Sequence, residues 1–143
     1  MRFCLLPLIG LCLAPAPLAL AAGGPEPGQW KVTTKTITDD VAGPERTSMR
    51  CLRPEDVNAI EKTFVPELGA ACKRTAFEWT GTKLSWRIQC TAPVTMDNSG
   101  EYTLDTPQHY VGEITVKMVV PPPGRDMVSR TRVEGERVGV CPP

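Results

Sequence analysis

From Tyr110 to Val120 the chain keeps a strict two-residue period: Tyr110, Gly112, Ile114, Val116, Met118 and Val120 fall on one side of an extended backbone, and His109, Glu113, Thr115 and Lys117 on the other. Successive side chains of a strand point to opposite faces, so this is the pattern of a strand with one face on a core and one in water. A helix cannot use it, because apolar residues two apart would spread around a 3.6-residue turn. The same period recurs along the chain. Trp30, Val32, Thr34 and Thr36 alternate with Lys31, Thr33 and Lys35; Thr47, Met49 and Cys51 share one face of residues 45–52; Tyr102 and Leu104 share a face of a short strand; and Met127, Ser129, Thr131 and Val133 oppose Arg130, Arg132 and Glu134. Turn-forming clusters punctuate these runs: Asp39-Asp40, Gly43-Pro44, Asp97-Asn98-Ser99-Gly100, Thr106-Pro107 and Pro121-Pro122-Pro123-Gly124. Gly135 interrupts the last run as a bulge or turn would, before Val138 and Val140.

The clearest hairpin brackets Thr80-Gly81-Thr82-Lys83, with Thr75, Phe77 and Trp79 alternating before it and Leu84, Trp86, Ile88 and Cys90 after it. A four-residue loop sets Trp79 opposite Leu84 and Phe77 opposite Trp86, which gathers the large apolar groups on one face. Continued down the ladder, that register puts Cys90 opposite Lys73 and turns Cys72 to the other face. One helix is expected: Pro54-Glu55-Asp56 suits a helix's first turn, and Val57, Ile60 and Phe64 recur at helical spacing, predicting a helix to about Lys62 before Pro66 and Gly69 end it. The fold class is therefore mainly β: an antiparallel meander of about seven strands with one short inserted helix, either a strongly curved sheet around that helix or a small barrel.

Residues 1–21 carry Arg2 ahead of an apolar run from Phe3 to Leu13, then small residues ending in Ala19-Leu20-Ala21. This is the pattern of a secretory signal peptide, too short and too broken by proline to remain as a membrane span. Cys4 follows Phe3 and Cys12 follows Leu11, unlike the small-residue context of a lipid-anchored cysteine, so a soluble periplasmic product is expected. Residues 22–28 read as a flexible lead and residues 29–143 as one β domain, with no transmembrane segment in the mature chain. The balance of 16 basic and 16 acidic residues loses one basic residue with Arg2, and nothing in it favours nucleic acid or anionic lipid.

Removal of the signal leaves Cys51, Cys72, Cys90 and Cys141, an even set in an oxidising compartment, which reads as two disulfides. Zinc fits poorly, since no Cys-x-x-Cys pair occurs and His109 is the only histidine. The hairpin register disfavours Cys72–Cys90. Of the two other pairings, Cys51–Cys72 with Cys90–Cys141 is preferred, closing the helix-bearing excursion at its base and pinning the C-terminus.

The chemical inventory is thin. There is one histidine, no expected free thiol, no Gly-x-Ser-x-Gly elbow and no glycine-rich phosphate loop, so no enzyme and no cofactor are expected. His109 reads as a surface residue on the polar face of its strand. Met49, Met118 and Met127, with Met96, form a candidate thioether set for Cu(I), against the plainer reading that methionines fill irregular core gaps. Arg125, Arg130, Arg132 and Arg137 read as a solvated face compensated by Glu134 and Glu136 rather than an anion site. Trp30, Trp79 and Trp86, with Phe77, are either core or the wall of an apolar ligand cavity.

Pro27-Gly28-x-Trp30, Cys51-Leu52-x-Pro54-Glu55-Asp56, Cys72, Gly81, Cys90 and Gly139-x-Cys141 together resemble the domain of unknown function 3617 family, uncharacterised exported proteins of Gram-negative bacteria. Arg53 stands where that pattern leads one to expect threonine. The resemblance implies export to the periplasm and brings no established activity and no site residue. The Gly-x-Trp beside the first strand also resembles the lipocalins, whose barrels hold apolar ligands, an analogy from three residues. The function expected is a non-catalytic binding or interaction module of the cell envelope, with an envelope protein or a small apolar ligand as partner. The alternatives are a Cu(I)-binding protein and a lipocalin-like carrier.

Overall fold

The computed structural model describes residues 23–143; the signal segment expected over residues 1–21 lies outside them. The strands are β1 (Gly28–Thr38), β2 (Val41–Ala42), β3 (Arg46–Leu52), β4 (Cys72–Trp79), β5 (Lys83–Cys90), β6 (Thr95–Thr106), β7 (His109–Val119) and β8 (Met127–Gly139), and the helices are α1 (Pro54–Asn58) and α2 (Ile60–Phe64). All pairings are antiparallel, in the order β2-β1-β8-β7-β6-β5-β4, with β3 also on β1. β2 continues the β3 side of the first hairpin, so the meander is the expected seven-strand one with a two-residue addition.

The sheet is open, with β3 at one edge and β4 at the other. It is also strongly curved, which α2 demonstrates. Six strand spacings separate β3 from β4, roughly 29 Å in a flat sheet. Yet the five residues of α2 touch both: the Arg50 guanidinium of β3 donates to the Thr63 carbonyl at 2.8 Å, and Arg74 of β4 pairs with Glu61. Only a sheet whose edges curl toward the same helix permits this, so of the two expected arrangements the curved sheet around a helix is the one adopted.

The helical region is two short pieces rather than one run to Lys62. At Ala59 (φ −115, ψ 53) the backbone leaves the helix, and the Asp56 carbonyl accepts from the Ala59 N–H at 3.2 Å and from the Thr63 hydroxyl at 2.8 Å. Asp56 also turns back to accept from the Arg53 N–H at 2.9 Å, which fixes the start of α1.

The inner face of the sheet carries the core in cross-strand rows. Trp86, Tyr102, Tyr110 and Trp30 form a chain of ring contacts with centroids 5.4, 5.5 and 5.4 Å apart, and Phe64 of α2 stands edge-on to both tyrosines. Three of these rings lie on glycines directly opposite them: Trp86 on Gly100, Tyr102 on Gly112 and Tyr110 on Gly135. A Cβ built at any of the three would run into the ring above it. The glycines thus let bulky rings lie flat on the backbone of a tightly curved sheet. Burial raises both phenols, Tyr110 to about 12.

Three expectations are corrected here. Asp97-Asn98-Ser99-Gly100 is not a turn but the middle of β6: Asp97 is held on the outer face by Arg87, Asn98 is buried on the inner face, and Gly100 makes room for Trp86. Gly135 stays in its strand, and the irregularity falls at Val138, between the pairs Trp30–Arg137 and Gln29–Gly139. The disulfides join Cys51 to Cys141 and Cys72 to Cys90, not Cys51 to Cys72 and Cys90 to Cys141. The hairpin register at its tip is the expected one, Trp79 opposite Leu84 and Phe77 opposite Trp86, but a bulge at Thr75 inserts one residue, so Cys72 meets Cys90 instead of Lys73 doing so. The flanking Thr91 N–H donates to the Ala71 carbonyl, which makes Cys72–Cys90 a non-hydrogen-bonded pair, with Cα atoms 4.0 Å apart. β4 is an edge strand, and Phe77 is correspondingly exposed rather than sharing the core.

Candidate functional site

The helices cover only part of the inner face. Below the rows of Leu104–Tyr110 and Leu84–Tyr102, three further rows run toward the far end of the sheet: Trp86–Gly100–Ile114–Thr131–Thr36, Ile88–Asn98–Val116–Ser129–Thr38, and Cys90–Met96–Met118–Met127. Their β5 members are buried, whereas Ile114, Val116, Met96, Met118, Met127, Thr131, Ser129, Thr36 and Thr38 are all half-buried. Together they form a floor with an apolar strip on β7, flanked at its end by Met96 of β6 and Met127 of β8, and a hydroxyl strip on β8 and β1. The hydroxyls pair with each other across strands, Thr36 with Thr131 at 2.9 Å and Thr38 with Ser129 at 3.2 Å. Beside the hydroxyl strip lies a groove of about 550 Å³ lined by Thr34, Thr36, Thr38, Val41, Pro44 and Arg46.

Where the floor meets the covered half, two buried polar atoms lack a hydrogen-bond partner among the described residues: the Trp86 indole Nε1 and the Asn98 amide Oδ1. One is a donor and the other an acceptor. Trp86 pairs with Gly100 and Asn98 with Ile88, so the two are diagonal neighbours on the same face of β5 and β6. Buried polar groups are almost always satisfied, and each unsatisfied one costs about 1–3 kcal/mol. Sequence reasoning missed Asn98 because its neighbours looked like turn chemistry.

The other candidates are scattered. Trp30 is fully buried, its Nε1 donating to the Glu26 carbonyl at 3.1 Å, and Trp86 is 2 % exposed. Trp79 lines a second cleft of about 510 Å³ with Phe77, Val57 and Ile60, between α1–α2 and the β4 edge. Met118 and Met127 are direct cross-strand partners and Met96 is the partner of Met118, but Met49 sits on the outer face opposite Lys31, 54 % exposed. Met49 is thereby removed from the candidate thioether set. The four arginines do not converge: Arg125 pairs with Asp39, Arg137 binds the Pro27 carbonyl and Glu26, and Arg130 and Arg132 lie on the outer face.

His109 is held on the outer face between two carboxylates, Nδ1 at 2.7 Å from Asp105 and Nε2 at 3.2 Å from Glu134. Both hydrogen bonds favour the imidazolium, so its pKa lies above the ordinary value, with Asp105 the larger cause, and the Asp105 carboxyl is lowered in return. A histidine raised on folding stabilises the fold fully below its unfolded pKa of about 6.5, and the contribution disappears as pH rises through the folded value. His109→Gln is expected to remove this slope. Thermal midpoints of the two proteins from pH 5 to 9 check it: they differ most at the acid end and converge at the alkaline end.

Among the described residues no group of three His, Cys, Asp or Glu side chains is placed to hold a metal, and no helix is long and apolar enough to cross a membrane. Residues 25–141 match the family model described as Protein of unknown function (DUF3617). No curated protein and no solved structure matches.

Proposed function

The chain belongs to the DUF3617 family, whose function is unknown, and we propose that it is an exported, non-catalytic binding module that holds an amphipathic aliphatic ligand on the open half of its inner face. Export to the periplasm is supported by the signal-like residues 1–21 and by four cysteines joined as two disulfides. The ligand class follows from the floor. Ile114, Val116 and Met118 offer an apolar strip for a hydrocarbon chain, and the covered half with its aromatic core closes one end.

The observation that carries this reading is the orphaned pair at that closed end, Trp86 Nε1 and Asn98 Oδ1. A hydroxyl carries both complements, an acceptor for the indole N–H and a donor for the amide oxygen. The bound molecule is therefore an aliphatic chain ending in an alcohol or a protonated acid.

A long-chain alcohol labelled at its tail with pyrene tests it, read through quenching of tryptophan emission. Saturable binding is expected, weaker by about tenfold for the methyl ether of the same alcohol, which has no proton for Asn98, one lost hydrogen bond being worth about 1 kcal/mol or more. Val116→Asp, a half-buried floor position outside the packed core, is expected to abolish it while leaving the melting transition in place. Equal binding of alcohol and ether, or binding untouched by Val116→Asp, contradicts the reading.

A further inference from the structure

The end row of the floor is methionine on three adjacent strands. Met96 of β6 pairs with Met118 of β7, and Met118 with Met127 of β8. All three side chains leave the inner face, and neighbouring backbones in such a row lie about 4.8 Å apart. Methionine usually earns its place by filling gaps in a packed core. Here Met118 and Met127 stand outside the core, half-buried, and Met96 only borders it. Packing alone does not call for three thioethers in line on an uncovered surface.

Their geometry supplies another reason. Each side chain has three rotatable bonds, and on the inner face of a curved sheet side chains of neighbouring strands lean toward one another. The outer two can bend over the central Met118, bringing three Sδ atoms to one point above it. The donor set decides which ion fits. Thioethers are soft, neutral ligands that select Cu(I) and its heavier analogue Ag(I), whereas zinc and the hard cations need thiolate, imidazole or carboxylate. No such donor stands in this row: Cys90, next to Met96, is tied to Cys72, and His109 is on the outer face.

We propose that Met96, Met118 and Met127 bind one Cu(I) ion through their three sulfurs. Three sulfur lone pairs are donated, no electron is transferred, and no proton is displaced, because a thioether carries none. Affinity is therefore flat with pH, unlike that of histidine or cysteine sites. The site shares Met118 with the apolar strip of the floor and needs no aliphatic ligand, so it is tested on protein free of one.

The experiment uses the exported, disulfide-bonded protein in chloride-free buffer. Ag(I) nitrate is titrated directly, and Cu(I) kept reduced by ascorbate is titrated against the chelator bicinchoninate. One equivalent of each ion is expected to bind with the same affinity at pH 5 and pH 8. Met118→Leu keeps the side-chain volume and the fold, checked by its melting transition, and is expected to weaken binding by at least about tenfold, as losing a direct ligand should exceed loss of an outer partner. Met49→Leu on the opposite face is expected to change nothing. Failure to compete with the chelator, an affinity that titrates between pH 5 and 8, or full binding by Met118→Leu each overturns the proposal.

Discussion

The double variant Cys51→Ala, Cys141→Ala is expected to lose about 4 to 5 kcal/mol of unfolding free energy, because its disulfide closes a loop with a sequence separation of 90 and the entropy of a closed loop grows with its length. Against the 5–15 kcal/mol of a typical domain that is a large part of the total. The bond also has a clear structural task. Cys51 is the penultimate residue of the edge strand β3, Cys141 follows β8, and β1 lies between them, so the link ties together the three strands around Trp30. Cys72→Ala, Cys90→Ala removes a separation of only 18 and is expected to cost about 3 kcal/mol, at the opposite edge. Urea unfolding of both double variants, with peptide mapping of the non-reduced parent, checks the assignment. A larger loss for the Cys72 and Cys90 variant, or a peptide linking Cys51 to Cys72, contradicts it.

Trp30→Ala is expected to cost about 3–5 kcal/mol. The side chain is 0 % exposed, its ring lies 5.4 Å from Tyr110, and its indole N–H is used by the Glu26 carbonyl, so truncation leaves both a cavity and an unpaired acceptor. This decides between the two roles open to Trp30 from its sequence position. A core residue loses stability in urea or on heating, and whatever ligand affinity remains falls only as the folded population falls. A cavity-wall residue would instead keep its melting transition and lose affinity. The first outcome is expected for Trp30, and the melting curve beside the pyrene titration tells them apart.

Much of the sheet is legible in the chain because strand faces follow a period of two whether or not the neighbours are known. The inner faces of β1, β7 and β8 and the Trp79–Leu84 hairpin tip all follow from alternation alone. What failed was set by contacts distant in sequence. The bulge at Thr75 has no glycine or proline to announce it, and one inserted residue was enough to reverse the cysteine pairing. Asp97-Asn98-Ser99-Gly100 has the composition of a turn, but each residue answers to a partner on another strand or to the inner face, Gly100 to the Trp86 ring most plainly. The open floor was invisible for a related reason: alternation tells which residues face inward, not which of them the short helices α1 and α2 reach. The methionine row emerged only from register, which joined Met96 to Met118 and Met127 and excluded Met49.

Native mass spectrometry of the full-length gene product, released gently from the envelope of a host that exports it, addresses the floor most directly. The expected result is a chain cleaved after Ala21, four hydrogens lighter for its two disulfides, carrying a bound organic mass that Val116→Asp lacks. A bare mass for the unaltered protein, with cleavage and disulfides in place, would contradict the claim that the open half of the inner face is a binding site for an aliphatic molecule.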